Sequence, residues 1–223
     1  MEHVFDRFYQ GYDDWYQTPG GAFVDAVETA ALWALLEPRP GMKVLDVGCG
    51  TGNQSLKLAQ HGCEVTGIDI ASNMLREAVR KSEAHGIPVN FHLMDCLQMD
   101  FPENSFDAAI SMAAFEFISD PTRAYREIRR IVKPGGLIVI GTIQRGGAWA
   151  ALYASDICKG TAYEYANFLS LADLRRLDTD GFDDFCECLF VPPGGPDDMY
   201  SEHIEQSLAA AGKKGGFVCV RFR

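Results

Sequence analysis

Two periods alternate along the middle of the chain. Short apolar runs that end in glycine, proline or an acid are separated by stretches in which apolar residues recur every three or four positions. This pattern predicts strands at about 43–47, 63–69, 89–94, 106–111 and 137–143, with helices at 52–61, 72–85 and 121–132. Met74, Leu75, Ala78 and Val79 form one stripe on the second helix. Tyr125, Ile128, Ile131 and Val132 form another on the third, with Arg123, Arg126, Arg129 and Arg130 facing outward. Local chemistry marks the boundaries. Asp120-Pro121 reads as an N-cap followed by proline at the first helical position. Gly62 and Gly86 stand just past helix ends, where a left-handed residue is wanted, and Lys133–Gly136 reads as a turn. After residue 144 a helix at 169–177, a strand near 185–191, a Pro/Gly loop at 192–196, a helix near 199–211 and a last strand at 216–222 follow. The alternation predicts a parallel sheet covered on both faces, and the two late strands predict an antiparallel edge. Residues 1–36 are helical in pattern and rich in aromatics, and Pro38–Gly41 separates them from the first strand.

The most informative string is Val44-Leu45-Asp46-Val47-Gly48-Cys49-Gly50-Thr51-Gly52-Asn53, an apolar run closing into a glycine turn and then a helical pattern. Asp69 ends the next apolar run nineteen residues after Gly50. A strand, a turn stripped of side chains and an acid on the neighbouring strand together suit a nucleoside with free ribose hydroxyls. In a dinucleotide fold a third glycine lets helix and strand pack closely beneath a pyrophosphate; here Asn53 stands in that place, which favours a ligand without a pyrophosphate.

Charge and cysteine content narrow the class. The net charge of −11 argues against nucleic acid as the main partner, because phosphate binding needs a surplus of Lys and Arg. Ten acids against two arginines between Asp173 and Glu205 carry −8 of it, either as a solvated surface or as a mouth favouring cationic substrates. The seven scattered cysteines read as reduced thiols of a cytoplasmic protein. With no apolar run of membrane length or secretory leader in view, no membrane span is expected.

These residues resemble the class I S-adenosylmethionine-dependent methyltransferases, and within them the type 11 branch with its ubiquinone/menaquinone-biosynthesis-like small-molecule enzymes. The likeness covers about residues 5–182. It rests on residues 44–52, Gly67-Ile68-Asp69 followed by Met74-Leu75, Asp95-Cys96, Phe106-Asp107, Phe115–Pro121 and Ile131–Gly136, in that order. It implies a Rossmann-like, doubly wound α/β fold: seven strands, mostly parallel, with the last reversed, plus a helical N-terminal cap over 1–36. The domain proper would be 37–223, with 145–205 shaping the substrate pocket. It implies S-adenosylmethionine as cofactor and S-adenosylhomocysteine as product, and a small-molecule acceptor methylated in line by a cytoplasmic monomer or homodimer without a metal.

Carried over residue by residue, Gly48, Gly50 and Gly52 let backbone approach the cofactor's methionine part, with Cys49 and Asn53 beside them. Asp46 faces its amino end, and Asp69 accepts from both ribose hydroxyls. Asp95 takes the adenine amino group, with Cys96 and Leu97 alongside, while Ile70 and Met74 sandwich the ring. Met112 lies near the sulfonium, and Tyr12 or Tyr16 of the cap meets the carboxylate. Glu116 is the one carboxylate nominated as a general base, against a structural capping role.

Other candidates are weaker. His61 and His85 suit helix C-termini by charge; His92 lies within a strand, His203 in a late helix and His3 near the chain start. Cys186-x-Cys188 with Cys158 and Cys219 fits no standard zinc spacing and reads as buried small residues. Neither Asn-Pro-Pro-Tyr nor a Pro-Cys nucleophile appears, which disfavours nucleic-acid methylation. Two rivals stand beside the main reading: a nicotinamide-dependent oxidoreductase, and a non-catalytic S-adenosylmethionine-binding protein.

Overall fold

The computed structural model describes residues 4–223; His3 lies outside them. Seven strands form one sheet: β1 (Lys43–Val47), β2 (Glu64–Asp69), β3 (Asn90–Leu93), β4 (Phe106–Met112), β5 (Val132–Ile143), β6 (Phe182–Cys188) and β7 (Phe217–Phe222). Their order is β3-β2-β1-β4-β5-β7-β6. Strands β1 to β5 pair in parallel, and β7 runs antiparallel to both β5 and β6. Among the described residues the α-helices are α1 (Pro19–Leu36), α2 (Asn53–Gln60), α3 (Ser72–His85), α4 (Pro121–Ile131), α5 (Ala148–Tyr153), α6 (Leu171–Arg175) and α7 (Glu202–Ala210). The expected fold class, a mostly parallel doubly wound sheet with a reversed last strand, is the one observed.

Side-chain alternation on the strands builds two cores. On β1, Val44 joins Leu32, Leu36 and Val139 on one face, while Leu45 and Val47 join Ile128, Ile131 and Val220 on the other. Helix α1 belongs to the first core, with Leu32 and Leu36 fully buried and the helix lying across β5, β6 and β7. Among the described residues ahead of α1, helical structure is confined to two 3₁₀ turns, Val4–Arg7 and Trp15–Gln17.

Several expected boundaries moved, each for a local reason. The Lys133–Gly136 turn is absorbed into β5 as a bulge, where pairing steps from Phe106↔Val132 to Ala108↔Leu137. The strand expected to reach residue 191 ends at Cys188, because Leu189 takes a left-handed φ of 62°. Helix α6 begins only after Ser170, whose side chain and Asp173 form a capping box. Val79 does not join the buried stripe of α3; it is 39% exposed at the stripe's edge. Asp120 caps α4 as expected, its side chain accepting from the Arg123 amide.

Between β1 and β4 the order of the strands reverses. Crevices at the carboxyl ends of strands in such sheets are where ligands bind, and the glycine turn leaving β1 and residues 112–114 leaving β4 both open there.

Candidate active site

A cavity of about 300 Å³ occupies this crevice. Fourteen of the fifteen residues expected at a cofactor line it: Tyr12, Tyr16, Asp46, Gly48, Cys49, Gly50, Asn53, Asp69, Ile70, Met74, Asp95, Cys96, Leu97 and Met112. Gly52 does not. A Cβ there would stand 2.9 Å from the Phe91 ring and 3.0 Å from the Ala78 methyl, so its missing side chain serves packing of α2 against α3 and β3. Glu116 is also absent from the lining.

The turn itself is built for backbone exposure. Gly48 and Gly50 have φ of 71° and 54°, a region glycine enters without strain. A Cβ on Gly48 would meet the Ala114 methyl at 2.5 Å, whereas one on Gly50 would meet nothing within 4 Å and would project into open space. Asp69 closes the turn, its Oδ2 accepting from the Gly50 amide at 2.8 Å and its Oδ1 from the Ala71 amide at 2.8 Å. Asp95 Oδ1 accepts from the Leu97 amide at 2.8 Å. Ile70 is 46% exposed and Met74 almost wholly buried, and both form apolar wall of the cavity.

Asp46 is 2% exposed and its Oδ2 accepts from Ser55 Oγ at 2.6 Å. Burial pushes its carboxyl up to about 7, against the Ser55 hydrogen bond and with the Asp69 charge adding to the rise. A cation placed here reverses that balance, which suits an ammonium group of a ligand.

Asn53, at the third-glycine position, joins a network that ties the N-terminal segment to the glycine turn. Asp13 Oδ1 accepts from Thr51 Oγ1 at 2.8 Å and from Asn53 Nδ2 at 3.0 Å. Lys81 Nζ donates to Asp13 Oδ2 at 2.7 Å and to Asn53 Oδ1 at 2.5 Å. Burial raises the Asp13 carboxyl, but Lys81, Thr51 and Asn53 outweigh it and hold it below the ordinary range. A second tie is made by Asp6, whose Oδ1 accepts from the Asn73 amide at 2.8 Å and so caps α3, where Ala71 offers no side-chain cap. Sequence separations of 67 and 68 residues hid both ties.

Glu116 sits behind the wall, 1% exposed, in the 3₁₀ turn Phe115–Phe117 after β4. Its Oε2 accepts from Thr142 Oγ1 at 2.8 Å, while its Oε1 has no hydrogen-bond partner among the described residues. Burial pushes this carboxyl up to about 7, with nearby amides and Thr142 opposing the rise.

A cavity residue that sequence reasoning missed is Glu28. It stands on α1 in the apolar stripe of Val24, Ala31, Leu32 and Leu35, and an acid at that spacing is the signal that was available. Its carboxylate faces the cavity and makes no hydrogen bond or ion pair among the described residues; burial, then the charge of Glu116, raises it well above the ordinary carboxylate range.

The remaining candidates lie elsewhere. His61 caps α2, with Nε2 3.2 Å from the Pro38 carbonyl oxygen and its ring edge-on to Trp33. His85 is the last residue of α3, His92 packs edge-on against Phe101, and His203 is exposed on α7. All seven cysteines are free, with Cys186 and Cys219 opposite one another across β6 and β7. Among the described residues no cluster of His, Cys, Asp or Glu could hold a metal ion, and no helix is long and apolar enough to cross a membrane. None of the ten acids between Asp173 and Glu205 lines the cavity, so that stretch does not form its mouth.

A glycine turn at a strand-order reversal, with an acid on the next strand, defines a nucleoside-binding α/β domain. Comparison with known proteins makes this specific. Residues 45–140 match a family model described as a methyltransferase domain. The ubiquinone biosynthesis O-methyltransferase of Chromobacterium violaceum is 34% identical over 145 residues, 61% of this chain and 62% of that protein. An uncharacterized protein of Mycobacterium tuberculosis is 32% identical over 191 residues, 82% of this chain and 62% of its own length. The chain thus spans about 62% of the length of these curated relatives. Among solved structures, a SAM-dependent methyltransferase of Thermotoga maritima, named as a possible histamine N-methyltransferase, superposes with a TM-score of 0.76 at 25% identity, covering 100% of this chain and 99% of that one. Residues 45–140 thus form a methyltransferase domain of the S-adenosylmethionine-dependent class, whose cofactor is S-adenosylmethionine.

Proposed function

We propose that the protein transfers a methyl group from S-adenosylmethionine to a small-molecule acceptor enclosed beneath its N-terminal segment. The observation that carries this reading is the open approach at Gly50 beside the Asp69 carboxylate. No side chain stands where the methionine part of the cofactor would approach the turn, and an acid stands where ribose hydroxyls need acceptors. Asp46 would hold the cofactor's ammonium, Ile70 and Met74 would cover adenine, and Asp95 would accept from its amino group.

S-adenosylmethionine supplies an electrophilic methyl on a sulfonium. The residues of this chain then have three tasks. Residues 46–53 and 69–74 fix the donor end, so that proximity can supply on the order of 7–11 kcal/mol of the barrier in favourable cases. Residues 4–17, pinned through Asp6 and Asp13, exclude water from the cleft. The aromatic side chains of residues 145–165 shape the acceptor's surroundings.

The relatives named above act, by their names, on oxygen in one case and on nitrogen in the other, so they leave the acceptor atom open. The test is transfer of labelled methyl from S-adenosylmethionine into a metabolite extract. Label recovered in the small-molecule fraction supports the reading; label confined to RNA or protein contradicts it.

A further inference from the structure

A second cavity of about 160 Å³ adjoins the first, and the two share Phe5, Tyr12, Tyr16, Glu28, Ala113 and Phe117. Glu28 therefore stands at the junction, between the space assigned to the cofactor and a chamber walled by Trp15, Trp149, Tyr153 and Tyr163. Tyr153 and Tyr163 stack with ring centroids 3.8 Å apart and planes 11° apart, and Trp15 meets Trp149 edge to face at 6.5 Å. The Trp149 Nε1–H is already satisfied, donating to the Val191 carbonyl oxygen at 2.9 Å.

The groups lining this chamber favour a cation, and Lys57, whose charge reaches Glu28, is already paired with Asp25 at 2.5 Å. Ring faces carry negative quadrupoles and attract cations. Glu28 brings a carboxyl with no partner among the described residues, which burial raises and a bound cation would return to the anion, and behind it the Oε1 of Glu116 is equally unmatched. No Lys, Arg or His of the described residues lines either cavity. An acceptor bearing a carboxylate or phosphate would be buried there without a counter-charge, at a heavy desolvation cost. A neutral alcohol would gain one hydrogen bond to Glu28 and nothing from the ring faces beyond contact.

We propose that the acceptor is a small amine with an apolar body, its nitrogen held by Glu28 at the junction and methylated there. This rests on the cofactor reading given above. The reaction balances without a further reactant. The incoming ammonium gives a proton to the Glu28 carboxylate; the freed nitrogen lone pair forms the N–CH₃ bond, and the S–CH₃ pair returns to sulfur as S-adenosylhomocysteine is released. The methylated product leaves as an ammonium ion, and Glu28 loses its proton to water.

The experiment uses the full chain with S-adenosylmethionine and three acceptors of like shape: 2-phenylethylamine, 2-phenylethanol and phenylacetate, with benzylamine and cyclohexylamine as further amines. S-adenosylhomocysteine release is expected with amines and not with the alcohol or the acid. Glu28→Gln should raise the amine KM by about tenfold or more, the scale of losing one partner of a desolvated charge pair, and lower kcat. Its Kd for S-adenosylhomocysteine should stay within about twofold, since that ligand has no cation at the junction. Methylation of the alcohol or acid as readily as the amines overturns the proposal, as does an unchanged amine KM in Glu28→Gln. A protein that binds S-adenosylmethionine but methylates none of the amines overturns the amine assignment alone. Failure to bind S-adenosylmethionine overturns the cofactor reading beneath it.

Discussion

The two halves of the cleft are made in different ways. The donor half is local: β1, its glycine turn, α2, and the acid ending β2 lie within residues 43–74, and their chemistry is written in consecutive residues. The acceptor half is assembled from afar. Phe5 and Trp15 from the start of the chain, Glu28 from α1, Phe117 from the turn after β4 and Trp149 to Tyr163 from the α5 region converge there. The first half leaves its glycines bare to admit one ligand; the second fills its walls with aromatic rings. A family that shares a donor can keep the first arrangement while the second changes with the acceptor.

Four outcomes break or sharpen this contrast. The largest belongs to Gly50→Val. At φ 54° a branched side chain is strained and projects into the cleft, so S-adenosylmethionine binding should vanish while acceptor-side fluorescence from Trp15 and Trp149 changes little. Retained binding would show that backbone approach at Gly50 is not needed. Asp69→Ala comes next, with cofactor binding weakened by about 1–3 kcal/mol through loss of a charged hydrogen-bond partner. Unchanged affinity in a folded variant refutes the ribose assignment.

The third outcome is a pH dependence. The carboxyl of Asp46 is raised to about 7, so it is protonated in the free protein below that value, and a bound ammonium favours the anion. Cofactor affinity should therefore fall as pH drops through 7, by about tenfold per unit below it, and Asp46→Asn should flatten the profile. A flat profile in the unaltered protein removes Asp46 from the ammonium site. The smallest effect is expected for Asp13→Ala, which removes the ion pair of Lys81 but leaves its hydrogen bonds to Asn53 and Thr51. A loss of about 1 kcal/mol in the segment's closure, on the scale of a partly exposed pair, should appear as faster amide exchange over residues 4–17. Equal exchange rates would mean that Asp6 alone holds the segment.

The same contrast explains what could be read in advance. The donor half was legible because periodicity gave its strands and helices, and because the spacing of Gly48, Gly50 and Asp69 by itself suggests a nucleoside site at the cavity they line. Gly52 was misplaced because spacing does not say which way a glycine's empty side faces; Phe91, on a strand two away in the sheet, decides it. Glu28 stood in plain view within an apolar stripe, yet its meaning depends on rings more than a hundred residues further along the chain. The acidic stretch after Asp173 suggested a cation-favouring mouth, but those acids lie outside both cavities, and the carboxyl that faces the second chamber, Glu28, comes from the other end of the chain.

The central claim, that the crevice is an S-adenosylmethionine site, is tested most directly by calorimetric titration of the purified protein with S-adenosylmethionine, S-adenosylhomocysteine and NADH. Saturable binding of the first two in the micromolar range, about −8 kcal/mol, with no heat from the third, is the result predicted. Binding of NADH without affinity for either of the others would contradict it.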